Sequence, residues 1–463
     1  MRGFAVALVL GLLLAGCSKS DSSSGLEPED TVGVLEENPL FIEQWAINPD
    51  ETFYASHAIN QNAHINPQEI LRNYSGDGIR IAIIDDGFDF VHPDLASNVV
   101  ASFYVESTQT TTNASHTLAS DYHGTAVAGI VGAKNNTLGI AGVANKAELI
   151  LIKIPMEGYS DLIGIRAFAL AKEYGADVIS CSWGTGDVSD TVRAKIIDVA
   201  TNGRGGKGTL IVFAAGNADA QIGNDESSIE EVIAVGATDH TALRAAYSSY
   251  GDTLDIMAPG GNELGIATLD PQGSNGASID GYNRFDERRD GNEVSFIGTS
   301  AAAPIVAGAL ALALEANPTL TREELFANLK RAVTYPSENV PYLYDCISLQ
   351  SDMATIEGTF GSSAFSEFGV RFISHEGGLS YGIFSIASTG ENTWHATATE
   401  SLPQGEYTVE VVSPDGTAVY ATDSYCRIGS SLATRIDYDI KRNDYYGHGK
   451  IDLAKLIELS TED

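Results

Sequence analysis

Gly298-Thr299-Ser300-Ala301-Ala302-Ala303-Pro304 places a serine where a loop turns into a helix. Gly298 permits a sharp turn, and the alanine run has high helix propensity and adds little bulk. Pro304 is expected in the first helical turn, where its missing N–H costs least. The apolar run Ile305-Val306-Ala307-Gly308-Ala309-Leu310 carries the helix on. The Ser300 hydroxyl then lies beside free backbone N–H groups and the positive end of the helix dipole, a setting that stabilises an oxyanion. A serine capping a buried alanine-rich helix has the same local signature, so the distinction rests on what lies upstream.

Residues 79–84, Ile-Arg-Ile-Ala-Ile-Ile, read as a short buried strand that delivers Asp85-Asp86-Gly87 at its carboxyl end, where α/β proteins place their chemistry. Asp121-Tyr122-His123-Gly124-Thr125-Ala126 puts His123 at the start of a small-residue helix. Further strands are expected at 148–154, 176–184 (ending in a loop), 209–215, 232–237 and 254–259, and helices at 65–71, 161–174 and 191–200. Another helix runs from the Thr321–Glu324 capping box to about residue 333. Strands alternating with helices imply an α/β, doubly wound, mostly parallel sheet. Asp85, His123 and Ser300 each fall at an element end on one rim of that sheet. A weak nucleophile requires a base, and the base an orienting carboxylate.

The chain has 463 residues and 43% hydrophobic residues, enough for a substantial core. A formal charge of −35, from 27 basic and 62 acidic residues, argues against nucleic acid as a partner. It suits attraction of basic peptides or divalent cations, or solubility alone. None of Cys17, Cys181, Cys346 and Cys426 forms a CxxC pair, which disfavours zinc. Arg2 and the apolar run 4–15, short of the roughly 20 residues that span a bilayer, read as a signal peptide over 1–16. Leu14-Ala15-Gly16-Cys17 resembles a bacterial lipobox with Cys17 as the lipidated residue, and Ser18 resembles the outer-membrane sorting pattern of Gram-negative lipoproteins. Residues 17–37 form a polar, flexible tether.

Four blocks in order, Ile84-Asp85-Asp86-Gly87, His123-Gly124-Thr125, Ala215-Gly216-Asn217 and the Ser300 stretch, resemble the subtilisin-like serine proteases. Asn38-Pro39-Leu40-Phe41, Gln44-Trp45, Ser180-Cys181-Ser182-Trp183-Gly184 and Gly447-His448-Gly449-Lys450-Ile451-Asp452 are similar to the kexin/furin branch, over residues 38–333 and 436–460. The resemblance implies Ser300 as nucleophile, His123 as general base then acid, Asp85 as its orienter, and Asn217 with the Ser300 N–H as oxyanion donors. Ser182, Trp183 and Gly184 would pair with the substrate backbone as an added strand. Asp86 and Asp121 would line a second pocket for basic side chains and Asp187 the floor of the first, although Asp187 also reads as a turn residue.

A structural Ca²⁺ is implied at Asn38, Asp94 and Asn136, with the carbonyls of Lys134, Leu138 and Ile140. Asn38 replaces the usual aspartate. Tyr247-Ser248-Ser249 lacks the glutamate of a second, pocket calcium. The expected organisation is a subtilisin-like catalytic domain over 38–335, an inserted all-β module over 336–432, and a closing segment of the catalytic domain over 433–463. Cys346 and Cys426 flank the module and are expected to form a disulfide. Tyr381, Trp394 and Tyr407 offer either a binding face or core aromatics. The short polar stretch before residue 38 is not expected to form a folded pro-domain, so a folding helper is an expectation, and the module is expected to stabilise the domain in place of a following β domain. The functional expectation is an endopeptidase acting on proteins or peptides, with a lean to basic residues before the cleaved bond. The alternatives are a broad-specificity subtilase and a lipoprotein binder or adhesin with an idle protease core.

Overall fold

Strand β1 (Arg80–Asp85) pairs in parallel with β4 (Glu148–Lys153) on one side and β5 (Val178–Cys181) on the other. This is the point where the chain crosses from one half of the sheet to the other. The computed structural model describes residues 35–462, apart from 68, 108, 118–120 and short interruptions within 274–294 and 336–435. The expected signal peptide, most of the expected tether and Cys17 therefore lie outside the described residues. The remaining strands of the main sheet are β2 (Val99–Glu106), β3 (Gln109–Thr111), β6 (Leu210–Ala214), β7 (Val232–Thr238) and β8 (Ile256–Pro259), with Val333–Thr334 and Lys450–Ile451. Their order is 333–334, 450–451, β8, β7, β6, β5, β1, β4, β2, β3. Only the two outermost pairings are antiparallel.

The helices are α1 (Glu51–Ser56), α2 (Ile70–Asn73), α3 (His123–Gly132), α4 (Asp161–Glu173), α5 (Asp190–Asn202), α6 (Thr299–Ala316), α7 (Arg322–Arg331) and α8 (Leu453–Thr461). Period-two alternation in β1 divides them between the faces. Ile81 and Ile83 join the core formed with α3 and α6, while Ala82 and Ile84 join that formed with α4 and α5. Burial on both faces is why these strands read as apolar runs rather than alternating ones. The N-terminal segment is tied to this body: Trp45 is fully buried and donates Nε1 to the Gly265 carbonyl at 2.8 Å.

The doubly wound α/β reading holds, with local differences. Strand β2 was not expected, because its Val-Val-Ala-Ser-Phe-Tyr-Val-Glu run is only partly buried. The expected helix at 65–71 is reduced to Ile70–Asn73, since Asn66 adopts a left-handed φ of 56°. Pro304 is the sixth residue of α6 rather than in its first turn. It leaves the Ser300 carbonyl without a helical partner, and the Ser182 hydroxyl donates to that carbonyl at 2.9 Å.

Beyond α7 the chain builds two antiparallel sheets. One orders Ser385–Gly390, Thr393–Thr397, Thr355–Phe360, Pro341–Cys346 and Ile436–Arg442; the other Ser380–Tyr381, Gly369–Ser374, Gly405–Val412 and Val419–Ile428. The strand Ile436–Arg442 pairs with Pro341–Cys346 and carries the module past the expected boundary at 432. Trp394 and Tyr407 are each 1% exposed, Trp394 against Phe368 and Tyr407 against Phe372 and Tyr381. They are core aromatics, not a binding face. Cys346 and Cys426 fall on strands of different sheets, and their side chains lie outside the described residues.

Candidate active site

The carboxyl end of β1 holds Asp85, and α3 begins on His123. The fully buried Asp85 accepts at Oδ1 from His123 Nδ1 and from the Asp86 backbone N–H, each at 2.8 Å. Its Oδ2 is buried without a partner. With Nδ1 committed, Nε2 is the ring nitrogen left for chemistry. Burial works to lower the His123 pKa, but the charge and hydrogen bond of Asp85, with the charge of Asp86, raise it to about 9. Burial and then the Asp85 charge raise the Asp86 carboxyl to about 7, while the Gly124 N–H donates to it at 2.8 Å.

Ser300 is the second residue of α6. Its Oγ donates to the Ser182 carbonyl at 3.1 Å, and no hydrogen bond joins it to His123. The turn that presents it depends on Gly298, whose φ is +118° and where a Cβ would stand 3.1 Å from Asn217 Nδ2. Asn217 Oδ1 accepts from both the Thr299 N–H and the Thr299 hydroxyl, each at 2.9 Å. Two donors on one oxygen fix the amide's orientation and leave its NH₂ as the free end. The Gly216 N–H in turn donates to Thr299 Oγ1 at 3.2 Å. Thr299 was not singled out from sequence, although it stands in the stretch quoted first. It orients the amide of a residue 82 positions away.

Ser182, Trp183 and Gly184 continue from β5. The Trp183 ring packs against Tyr159 and Phe213 and donates Nε1 to the Ile84 carbonyl at 2.8 Å, so its side chain serves the core. A Cβ on Gly184 would stand 2.5 Å from an Asp225 carboxylate oxygen. Asp187 is exposed and accepts from Asn224 Nδ2 at 2.7 Å. The acids that touch the 184–186 backbone are instead Asp225, which accepts from Thr185 and Gly186 N–H at 3.2 and 3.3 Å, and Glu226, which accepts from Thr185 N–H at 3.0 Å and its hydroxyl at 2.9 Å. Glu226 is fully buried; burial, then hydrogen bonding with Asp225, raises its pKa to about 7. Asn224-Asp225-Glu226-Ser227 reads in sequence as a polar turn, with no period to mark it.

The expectation for Asp121 requires correction. Its carboxylate is paired with Lys153 Nζ at 2.8 Å, with side chains 13% and 5% exposed, and also accepts from Thr117. That charge is already neutralised and does not offer a free anion to a basic substrate side chain. Lys153, in register with Asp85 on the neighbouring strand, was missed because only its Asp121 partner, 32 residues away, gives it meaning.

Asn38, Asp94 and Asn136 converge. The Asn136 N–H donates to Asn38 Oδ1 at 3.3 Å, and Asn136 Nδ2 donates to Asp94 Oδ1 at 3.2 Å. Asp94 is fully buried, with Oδ2 outside hydrogen-bond geometry, and burial raises its pKa against the pull of Asn136, Tyr282 and the Ile140 backbone. The carbonyls of Lys134, Leu138 and Ile140 accept no hydrogen bond among the described residues. A buried carboxylate oxygen without a hydrogen-bond partner, in contact with a loop whose carbonyls at 134, 138 and 140 accept none, suits a hard, oxygen-seeking cation. Among the described residues, no group of three or more His, Cys, Asp or Glu side chains is placed to hold a metal ion.

Comparison with known proteins bears on this geometry. Residues 76–361 match the Subtilase family. A "Calcium-dependent protease" of Trichormus variabilis (strain ATCC 29413 / PCC 7937) is 36% identical over 298 residues, covering 58% of this chain and 44% of that protein. The chain thus spans less than half the length of that relative. "Subtilisin NAT" of Bacillus subtilis subsp. natto is 33% identical over 289 residues, covering 60% of this chain and 67% of that one. Among solved structures, a protease of Pseudoalteromonas arctica PAMC 21717 superposes with a TM-score of 0.54 at 27% identity, over 64% of this chain and 92% of that one.

Proposed function

The chain belongs to the subtilase family, and from that premise we propose that it is a serine endopeptidase acting on proteins or peptides. The observation that carries this reading is the 2.8 Å bond by which a fully buried Asp85 holds His123 Nδ1. Ser300 Oγ leaves the Ser182 carbonyl by rotation about χ1, gives its proton to His123 Nε2 and attacks the scissile carbonyl. The Asn217 NH₂, with its oxygen held by Thr299, and the Ser300 N–H receive the oxyanion. His123 then passes its proton to the departing amine, and water repeats the sequence on the acyl-enzyme. The backbone of Ser182, Trp183 and Gly184 pairs with the substrate.

A preference for basic residues before the cleaved bond, as in the kexin-like branch, is part of the proposal. Its support shifts from Asp187 and Asp121 to Asp225 and Glu226. Two carboxylates sharing one partly buried site are relieved by a cation. A mixed peptide library, presented with calcium to soluble protein starting at Ser24, tests it. Cleavage after Arg or Lys is expected. Cleavage after apolar residues would discard the basic preference in favour of a broad-specificity subtilase. No cleavage by folded protein would favour a binding role with an idle core.

Calcium is proposed as a structural ion held by Asn38, Asp94 and Asn136 with the carbonyls of Lys134, Leu138 and Ile140. It would neutralise Asp94 and fix the 134–140 loop. Chelation with EGTA is expected to lower Tm by roughly 5 °C or more, as loss of a saturating ligand does. Asp94→Asn is expected to lower Tm without chelator and remove the response to it. A wild-type Tm indifferent to EGTA would contradict the site.

We further propose lipidation at Cys17, anchoring at the outer membrane of a Gram-negative cell, a Cys346–Cys426 disulfide and maturation with a folding helper. The intact mass of membrane-extracted protein, before and after reduction, checks the first and third of these. An unmodified Cys17 or two free thiols would refute them.

A further inference from the structure

The loop that carries Asn217 lies against residues 247–250. The Ser249 N–H donates to the Gly216 carbonyl at 2.9 Å, Asp219 to Tyr247 at 2.8 Å, Tyr250 to Ala220 at 3.0 Å, and Ile222 to Tyr250 at 2.8 Å. Asp219, two residues past Asn217, sits at a left-handed φ of 48°, a region that aspartate enters more readily than most non-glycine residues and holds through local contacts of its side chain. The constraint visible on its side chain is Arg244, whose Nη2 donates to Asp219 Oδ1 at 2.6 Å.

Arg244 is 15% exposed, whereas Asp219 is 58% exposed, so the ion pair alone is too well solvated to hold the loop. The guanidinium is fixed by other means. Its Nη1 donates to the Ser248 carbonyl at 2.8 Å, and its Cζ lies 5.4 Å from the centroid of the Tyr250 ring and 5.5 Å from that of the Tyr445 ring. Those two rings stack 4.6 Å apart. A planar cation gripped by aromatic faces loses little further freedom in binding a carboxylate.

Tyr445 belongs to the turn by which the chain leaves the β module, after Ile436–Arg442. That turn is anchored on both sides. Toward the catalytic body, Arg442 Nη2 donates to the Gly251 carbonyl at 3.1 Å, and the Gly251 N–H donates to the Asp444 carbonyl at 2.7 Å. Toward the module, the Thr422 hydroxyl donates to Asp444 Oδ2 at 2.8 Å, and the Asp444 N–H to the Tyr420 carbonyl at 2.7 Å, both partners on Val419–Ile428.

We propose that Arg244, gripped by Tyr445 of the module's exit turn, is a positioning residue for Asn217, so that docking of the β module is coupled to turnover. The proposal rests on the reading of Asn217 as an oxyanion donor. The module thereby acts on the reaction, although among its described residues none contributes a group to the site itself.

A double-mutant cycle on a peptide substrate tests it. Asn217→Ala is expected to lower kcat about 10²–10³-fold. Tyr445→Ala is expected to lower kcat about 10-fold with KM little changed, and Tyr445→Phe, which keeps the ring, to restore it. In the Asn217→Ala background, Tyr445→Ala is expected to cause no further loss, because the group it positions is gone. Arg244→Lys, which keeps the charge but not the planar fork, is expected to reproduce the Tyr445→Ala loss in a protein with a native near-ultraviolet spectrum. A Tyr445→Ala loss that multiplies undiminished onto Asn217→Ala, or an unchanged kcat in both Tyr445→Ala and Arg244→Lys, would overturn the coupling. An Asn217→Ala enzyme of wild-type kcat would overturn it at its premise, and is distinguishable because that variant leaves the module untouched.

Discussion

Replacing Ser300 with alanine is expected to lower kcat for peptide hydrolysis by about 10⁶-fold, the scale on which loss of the nucleophile acts in serine proteases of this kind. The fold should survive. The Oγ makes one hydrogen bond, to the Ser182 carbonyl, while the reciprocal bond from the Ser182 hydroxyl goes to the Ser300 backbone and is kept. Alanine also has a higher helix propensity at this position in α6. Tm is therefore expected within a few degrees of wild type. The comparison is made on protein of matched far-ultraviolet spectrum, with KM held near wild type because the pairing backbone at Ser182 is undisturbed. A Ser300→Ala protein that cleaves at more than about a thousandth of the wild-type rate would place the nucleophile elsewhere.

Asp85→Asn is expected to cost about 10⁴-fold in kcat, the scale of replacing the carboxylate of such a triad. Asp85 Oδ1 takes both His123 Nδ1–H and the Asp86 N–H. An amide at this position turns either its oxygen or its NH₂ toward His123, and the latter requires the tautomer with Nε2 protonated, which cannot accept the Ser300 proton. The substitution also changes the pH profile. Burial opposes the charged imidazole, and Asp85 is the largest of the influences that raise the His123 pKa to about 9. As a base, His123 must be neutral, so wild-type kcat/KM is expected to rise with pH through that value. Asp85→Asn is expected to move this limb to lower pH. Stability carries the matching sign. A raised folded-state pKa contributes stability that is fully present below the unfolded histidine value of about 6.5 and lost as pH rises through about 9. Asp85→Asn is thus expected to narrow the stability gap between pH 6 and 10. A limb that stays in place would mean that Asp85 does not govern the base.

What was legible in the sequence follows from how parallel sheets are built. Strands buried on both faces are written as short β-branched runs, and their carboxyl ends are where the text changes character. Asp85 after Ile81-Ala82-Ile83-Ile84, His123 at the head of α3 and Ser300 at the head of α6 were accessible for that reason. Lys153, Thr299, Asp225, Glu226 and Arg244 were not. Each draws its meaning from a partner that no local period indicates: Lys153 from Asp121, Thr299 from Asn217, Asp225 and Glu226 from Thr185, Arg244 from Asp219 and Tyr445. The error over Asp121 is of the same kind, since a carboxylate near a histidine looks available until the lysine on the adjacent strand is seen. The module's boundary was misplaced because Ile436–Arg442 pairs with a strand some ninety residues earlier. The consequence of Pro304 was likewise invisible. The carbonyl it frees is that of Ser300, and the hydroxyl that caps it belongs to Ser182, across the site.

The central claim is that Ser300, activated by His123, is the nucleophile. It is tested most directly by treating the folded protein with a fluorophosphonate and mapping the adduct by mass spectrometry alongside residual proteolysis. The account predicts one adduct, on Ser300, formed in proportion to the activity lost and absent from Ser300→Ala and from unfolded protein. A folded, proteolytically active protein that is not labelled, or that is labelled on a different residue as its activity falls, would contradict it.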